Sequence, residues 1–189
     1  PDVATIREVA AVLREYPVPF VVLDPVLVAT SGDSLALENT VGAMLEQLLP
    51  LADLVTPNLS ELAELTGNRQ AQSEQEMLAQ GQQLLALGAQ AVLLKGGHWE
   101  ESGQAGDWLV QQSEEPQCFV SARVPTLNTH GTGCTLSSAV AAYYPHKNDL
   151  RLAVASAKSY LQGAIEAGAA WKVGGGHGPL AHFWRTIAS

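Results

Sequence analysis

Asn128-Thr129-His130-Gly131-Thr132-Gly133-Cys134-Thr135-Leu136 stands between a β-like run over 118–124 and a run of small, helix-forming residues over 135–144. The pattern predicts a strand that turns into a helix. The first backbone N–H groups of a helix lack intrahelical partners, and the helix dipole adds a partial positive charge there. Such a turn favours an anion, usually a phosphate group. The simpler interpretation is a connecting loop, because short glycine motifs often match by chance.

Two glycines and a cysteine give this turn its chemical interest. Gly131 and Gly133 allow the backbone to approach a phosphate oxygen without a clash from Cβ, and the three threonines add hydroxyl donors. Cys134 is expected at or near the first helical turn, where the dipole favours the thiolate form. On the simpler interpretation, Cys134 is a small buried hydrophobic residue.

The composition is typical of a compact α/β protein. The chain has 189 residues, of which 47% are hydrophobic and 15% charged, and this predicts a single domain over 1–189. No apolar run approaches the roughly 20 residues of a membrane span. A net charge of -9 with only ten basic residues argues against nucleic-acid binding. Two cysteines without metal-ligand spacing, and no signal-peptide pattern, predict a cytoplasmic protein.

Helical and strand-like patterns alternate along the chain. This alternation predicts an α/β fold with a mainly parallel sheet and helices on both faces. Lys158, in an alanine-rich helix, is expected to be solvated. The predicted helices cover 5–16, 35–49, 73–87, 135–144, 149–170 and 180–187, and the predicted strands cover 20–23, 53–56, 91–94, 107–111 and 117–124.

Polar residues follow three of the predicted strands directly. Asp24 follows the first, Asn58 and Glu61 follow the second, and Lys95 with Gly97 follows the third. The carboxyl ends of parallel strands meet at one edge of a sheet, so we expect these residues to converge there with the glycine turn. Carboxylate and amide oxygens suit Mg²⁺, and a lysine and an anion hole suit phosphate. The combination predicts phosphoryl transfer.

Each of these features also has a purely structural interpretation. Asn58 can cap the following helix while Glu61 reaches back to it, as in a capping box, and this does not exclude a role in metal binding. Asp24 precedes a proline and fits an ordinary turn. Lys95 and the two glycines after it also fit a plain turn.

The motifs, taken in order, resemble those of the hydroxymethylpyrimidine/phosphomethylpyrimidine kinase family of the ribokinase-like superfamily. The resemblance covers nearly the whole chain, and its most specific part is the stretch that ends in Cys134, where most ribokinase-like proteins carry an aspartate. The segments that carry it are Asp24-Pro-Val, Thr56-Pro-Asn58-Leu-Ser-Glu61, Leu94-Lys-Gly-Gly-His98, Asn128-Thr-His-Gly-Thr-Gly-Cys134-Thr and Gly176-His177-Gly-Pro-Leu-Ala-His182-Phe183.

The resemblance implies a ribokinase-like fold and an enzyme that uses ATP and Mg²⁺. Its expected reactions phosphorylate 4-amino-5-hydroxymethyl-2-methylpyrimidine, and then the monophosphate to the diphosphate, in thiamine biosynthesis. The family also implies a homodimer. By this resemblance Cys134 is catalytic and contacts the substrate, and the anion hole is formed by Gly131, Thr132 and Gly133. ATP is contacted by Lys95 and Gly97, and its phosphates lie near Asn58, Glu61 and Asp24. Of these, Glu61 and Asp24 hold Mg²⁺ through water, and Val26 lines the pyrimidine pocket.

A helix-activated Cys134 suits the first of the two steps. A primary alcohol must lose a proton to attack phosphorus, and a thiolate can accept it, whereas a phosphate monoester is already anionic.

One departure from the family and three alternatives stay open. The N-terminal quarter to third of the family domain is absent from these residues, so we expect them to be poorly active by themselves. One alternative is a pyridoxal-type kinase, which can share a Gly-Thr-Gly loop. Another is a non-catalytic nucleotide-binding fragment. A redox role for Cys134 is disfavoured, because no second cysteine stands near it in the sequence.

Overall fold

The computed structural model describes residues 2–27, 39–96 and 104–187. Packing divides these residues into two units. The first unit takes the described residues of Pro1–Gly97 together with Gly106–Cys118, and the second takes those of His98–Ala105 and Phe119–Ser189. That residues 1–189 form a single domain stays a prediction.

The described strands are β1 (Val22–Leu23), β2 (Leu54–Val55), β3 (Ala91–Lys95), β4 (Gln104–Gln111) and β5 (Gln117–Ala122). They form a sheet in the order β1-β2-β3-β4-β5, which is also their order along the chain. β1 pairs with β2, and β2 with β3, in parallel, whereas β3 and β4 are antiparallel. The α/β class and the parallel start of the sheet agree with the alternating sequence pattern.

The register of the parallel strands brings their carboxyl ends side by side. Leu23 pairs with Val55, the last residues of β1 and β2. Val55 in turn pairs with Val92 of β3. β2 is fully buried, while β1 is only half-buried, because β1 is the outer strand of the sheet in the described residues. Residues directly after β1 and β2 are therefore neighbours at one edge.

The described helices of the first unit are α1 (Val3–Glu15), α2 (Thr40–Gln47), the 3-10 helix Leu49–Leu51, α3 (Leu59–Thr66) and α4 (Glu74–Ala86). At the start of α1, α3 and α4 the N-cap side chain accepts backbone N–H groups, whereas at the start of α2 it does not. Asp2 caps α1 through Thr5, and Ser73 caps α4 through Glu76. The helical pattern over 35–49 forms a shorter helix followed by a 3-10 turn that contains Pro50, and positions 35–38 of the pattern lie outside the described part.

The second unit contains α5 (Thr132–Lys147), α6 (Leu150–Gly168) and α7 (Trp184–Ile187). α5 and α6 pack against each other, and both have buried aliphatic faces. No described helix combines the length and the apolar character that a bilayer crossing requires.

Lys158 corrects one expectation from the sequence. The residue is only 7% exposed, although a solvated side chain was predicted. Position 158 lies four residues after Val154 and three before Leu161, both buried, so all three share one face of α6. The helical periodicity therefore outweighs the usual preference of lysine for the surface.

Candidate functional site

An ion pair joins the ends of two strands in the first unit. Nζ of Lys95 lies 2.9 Å from Oδ1 of Asp24 and 3.7 Å from Oε2 of Glu61. The exposed fractions of the lysine and glutamate side chains are 14% and 4%. Because this pairing is largely shielded from water, its electrostatic attraction is stronger than that of a surface salt bridge. Three of the residues expected to converge are thus in contact.

Local backbone pairing explains how these side chains meet. Asp24 comes directly after β1, and Lys95 is the last residue of β3. The backbone N–H of Lys95 donates to the carbonyl oxygen of Pro57 at 2.9 Å, and Asn58 and Lys95 form an isolated parallel bridge. The β2–α3 connection therefore continues alongside β3 and places Glu61 near the ammonium group.

Thr56 is a member of this cluster that the sequence analysis did not single out. Its hydroxyl donates to Oδ1 of Asp24 at 3.0 Å, the same oxygen that Lys95 contacts, and the residue is fully buried. Thr56 follows β2 directly, but the predicted strand over 53–56 included this residue, so the search for polar residues after predicted strands missed it.

Asn58 and Glu61 form the predicted capping box at the start of α3. Oδ1 of Asn58 accepts the backbone N–H groups of Ser60 and Glu61, both at 2.9 Å. The backbone N–H of Asn58 donates to Oε2 of Glu61 at 2.8 Å. The structural interpretation is confirmed. Oε2 of Glu61 is also the atom of this residue that pairs with Nζ of Lys95. The capping box therefore holds the carboxylate of Glu61 within the charged cluster.

The environment of Glu61 perturbs its acidity. Burial raises the pKa of this carboxyl group above its ordinary value of 4.5, and the positive charge of Lys95 acts in the opposite direction by stabilising the carboxylate. A buried glutamate that keeps a cation beside it is the kind of group that occurs at functional sites.

The glycine turn of the second unit opens α5. Gly131 is the N-cap residue and has a φ of 83°, a left-handed conformation that glycine adopts without strain. It offers no side chain to cap the first turn. α5 begins at Thr132, three residues earlier than predicted, so Thr132 and Gly133 belong to the helix. The start of a helix at a glycine is the arrangement expected of an anion-binding turn.

Cys134 is the third residue of α5 and is exposed, which confirms the predicted position and excludes the buried-hydrophobe interpretation. The threonine hydroxyls are not all available to a ligand, because Oγ1 of Thr132 donates to the carbonyl oxygen of Thr129 at 2.6 Å. An open cavity of about 610 Å³ adjoins the turn. Its lining includes Gly131, Cys134 and Thr135 and, beyond them, Tyr143, Tyr160 and His182.

The predicted roles of Val26 and Gly97 stay predictions. Val26 is 37% exposed, and its contact with a pyrimidine stays a prediction. Gly97 lies outside the described residues. Within the described part of the chain, no group of three or more His, Cys, Asp or Glu side chains could hold a metal ion without other ligands.

The sequence matches the family model described as phosphomethylpyrimidine kinase over residues 1–181. A protein of Escherichia coli (strain K12) named hydroxymethylpyrimidine/phosphomethylpyrimidine kinase is 46% identical over 178 residues, which are 94% of this chain and 66% of that protein. A Geobacter sulfurreducens protein named as a thiamine biosynthesis bifunctional protein is 44% identical over 178 residues, covering 94% of this chain and 35% of its own length. The chain thus spans just under two thirds of the Escherichia coli protein.

Solved structures confirm the ribokinase-like fold. The ADP complex of Bacillus subtilis pyridoxal kinase matches with a TM-score of 0.85 and 30% identity, covering 99% of this chain and 68% of that one. The family model extends over almost all of the sequence, and the motifs lie at strand ends and at a helix start. These findings and the structural similarity agree on the family of the chain. The chain belongs to the phosphomethylpyrimidine kinase family.

Proposed function

We propose that these residues supply the phosphate-binding part of an ATP-dependent kinase. The proposed reactions phosphorylate 4-amino-5-hydroxymethyl-2-methylpyrimidine and then its monophosphate, in thiamine biosynthesis. The observation that carries the proposal is the charged cluster of Lys95, Asp24 and the buried Glu61 at the strand ends, in a chain whose relatives carry the name of this activity. Lys95 would neutralise charge on the transferring phosphate.

The charged cluster also suits Mg²⁺ held through water. Asp24 and Glu61 provide two carboxyl groups against one ammonium, which leaves a net negative charge when both are ionised. Because Lys95 already pairs with both carboxyl groups, direct coordination of the cation by both is disfavoured, whereas bridging waters suit a cation that dehydrates reluctantly. When bound, Mg²⁺ would neutralise phosphate charge and orient the nucleotide.

The second unit carries the proposed anion hole and the proposed base. The first turn of α5 can donate backbone N–H groups to phosphate oxygens, with Gly131 and Gly133 allowing a close approach. The exposed thiol of Cys134 stands in this turn, where the helix dipole favours thiolate. We propose that it accepts the hydroxyl proton in the first phosphorylation.

A pyridoxal-type kinase is the second candidate, favoured by the structural match to the Bacillus subtilis enzyme. The higher identity of 46% to the Escherichia coli relative favours the pyrimidine. ADP release from the purified chain, measured with each substrate in turn, distinguishes the two. We expect slow but detectable turnover of the pyrimidine alcohol, faster than that of pyridoxal.

Three other results of this assay are informative. Faster release with pyridoxal would reject the pyrimidine assignment. Binding of MgATP by calorimetry without ADP release from either substrate would support the non-catalytic alternative. Full turnover, at the rate of the Escherichia coli relative, would contradict our expectation that these 189 residues are poorly active alone. We further propose a cytoplasmic homodimer, for which sedimentation equilibrium tests the oligomeric state.

A further inference from the structure

Asn128 is a buried polar residue next to the anion-binding turn, and the proposed mechanism leaves it without a role. It is only 7% exposed. Its side-chain Nδ2 donates to the carbonyl oxygen of Gly168 at 2.7 Å and to that of Trp171 at 2.8 Å, with the carbonyl oxygen of Ala169 at 3.4 Å. One amide group therefore faces three backbone acceptors that lie about forty positions away in the chain.

These acceptors lie at and just after the carboxyl end of α6, where a helix leaves its last carbonyl groups without intrahelical partners. Asn128 supplies some of the missing donors, and its neighbour Thr126 supplies another, from Oγ1 to the carbonyl oxygen of Ala169 at 3.0 Å. The backbone N–H of Asn128 in turn donates to Oγ1 of Thr126 at 3.1 Å. Residues 126–128 thus cap α6 from a distant part of the sequence.

The same residues lead directly into the turn. Gly131, the N-cap of α5, comes three positions after Asn128. Between them, the N–H of His130 donates to the carbonyl oxygen of Gly178 at 3.1 Å. A Cβ atom added at Gly178 would overlap Oδ1 of Asn128, so the backbone at Gly178 also packs against the side-chain amide of Asn128. Asn128 is therefore the point where α6, the Gly178 segment and the turn are joined.

We propose that Asn128 is a positioning residue for the anion-binding turn. The amide holds the residues before Gly131 against the carboxyl end of α6, and this fixes the direction in which the first N–H groups of α5 point. Asn128 does not itself contact the phosphate. The inference rests on the proposed function, because it assumes that the turn binds the phosphates of ATP.

A general structural role would have a different signature. Loss of a buried hydrogen-bonding group destabilises a domain wherever the group lies. A positioning role predicts, in addition, a local loosening of the turn and a weaker affinity for polyphosphate in protein that is still folded. The control is Leu161→Ala, which removes buried side-chain volume from α6 at a position seven residues before Gly168.

Two measurements on the full chain test the proposal. The first is amide hydrogen exchange, followed by mass spectrometry, in peptides that cover residues 129–136. The second is the dissociation constant for MgATP by calorimetry. For Asn128→Ala we expect exchange in this peptide to rise about tenfold and affinity to fall about tenfold, while Leu161→Ala at an equal loss of thermal stability changes neither. Thr126→Val, which removes only part of the anchor, should give smaller changes of the same sign if Asn128→Ala does not fold.

Unchanged exchange in the 129–136 peptide of Asn128→Ala, or of Thr126→Val where only that variant folds, would overturn the proposal. Faster exchange with an unaltered affinity for MgATP would also overturn it. The same holds if Leu161→Ala changes exchange and affinity as much as Asn128→Ala does. If the unaltered chain binds no MgATP at all, the proposed function fails instead. In that case the exchange measurement alone decides whether Asn128 orders the turn.

Discussion

Nζ of Lys95 lies 2.9 Å from Oδ1 of Asp24, although the two residues are 71 positions apart in the chain. The same oxygen accepts a hydrogen bond from Thr56, and Oε2 of Glu61 lies 3.7 Å from the ammonium nitrogen. A single lysine therefore compensates two carboxyl groups that would otherwise repel each other. This relationship makes the cluster sensitive to the removal of any one member.

Replacement of Lys95 by methionine should weaken MgATP binding by about ten- to a hundredfold, the usual cost of losing a charged hydrogen bond. It should also raise the pKa of Glu61 further, because Lys95 stabilises its carboxylate. Calorimetry measures the affinity, and a pH series of the urea midpoint reports the titration. Lys172→Met, at an exposed position, is the matched control. Equal affinities for the two variants would remove Lys95 from the proposed site.

Glu61→Gln should change how stability depends on pH. Burial gives the folded protein a higher pKa at this group than the unfolded chain has, so the folded state binds the proton more tightly. The contribution is fully present below the ordinary value of 4.5 and is lost as the pH rises through the raised pKa. The glutamine variant should lack this loss and keep its capping box. Urea unfolding from about pH 4 upward tests this.

Glu64→Gln is the control for that experiment, because Glu64 is an exposed residue of the same helix. Its pH profile should match that of the unaltered chain. A Glu61→Gln profile that also matches it would show that Glu61 titrates like a surface carboxyl group.

Asn58→Ser separates capping from metal organisation. Serine caps a helix about as well as asparagine, so the free energy of unfolding should fall by less than about 0.5 kcal/mol, against about 1 kcal/mol for Asn58→Ala. If the amide also orders water around Mg²⁺, Asn58→Ser should reduce the gain in ATP affinity that Mg²⁺ provides. Calorimetry with Mg²⁺ and with a chelator measures this gain. A gain as large as in the unaltered chain would leave Asn58 with capping alone.

Cys134→Ala should impair the first phosphorylation more than the second. The alcohol needs a proton acceptor, whereas the monophosphate is already an anion, so we expect a loss of about 10²- to 10⁴-fold in the first step only. Single-turnover measurements with each substrate compare the two rates. Cys118→Ala, at the other exposed cysteine, should alter neither. Equal losses in both steps would favour a positioning role for the thiol over that of a base.

Gly178→Ala should destabilise the protein by about 1–3 kcal/mol, because the added methyl group meets the side-chain oxygen of Asn128 in a packed environment. Gly175→Ala is the natural comparison, since a Cβ atom there has nothing within 4 Å. Thermal or urea unfolding gives both values. Similar stabilities for the two variants would show that the Gly178 segment does not pack against Asn128.

Much of the candidate site was predictable because its signals are local. A polar residue directly after a buried strand, an asparagine followed three positions later by glutamate, and a glycine turn before a helix are each set by hydrogen bonds within a few residues. Asp24, Lys95 and the capping box of Asn58 and Glu61 therefore lie where the pattern indicated. The positions of Gly97 and of a bound pyrimidine beside Val26 stay predictions.

The sequence by itself thus determined the order of helices and strands, the parallel pairing of the first strands and the residue types available at their ends. Only the tertiary structure decided that Thr56 and Lys95 share one oxygen of Asp24, that Lys158 is buried, and that Asn128 reaches the end of α6. The physical reason is range. Backbone preferences act over a few neighbouring residues, whereas these contacts join segments that approach each other only when the chain packs.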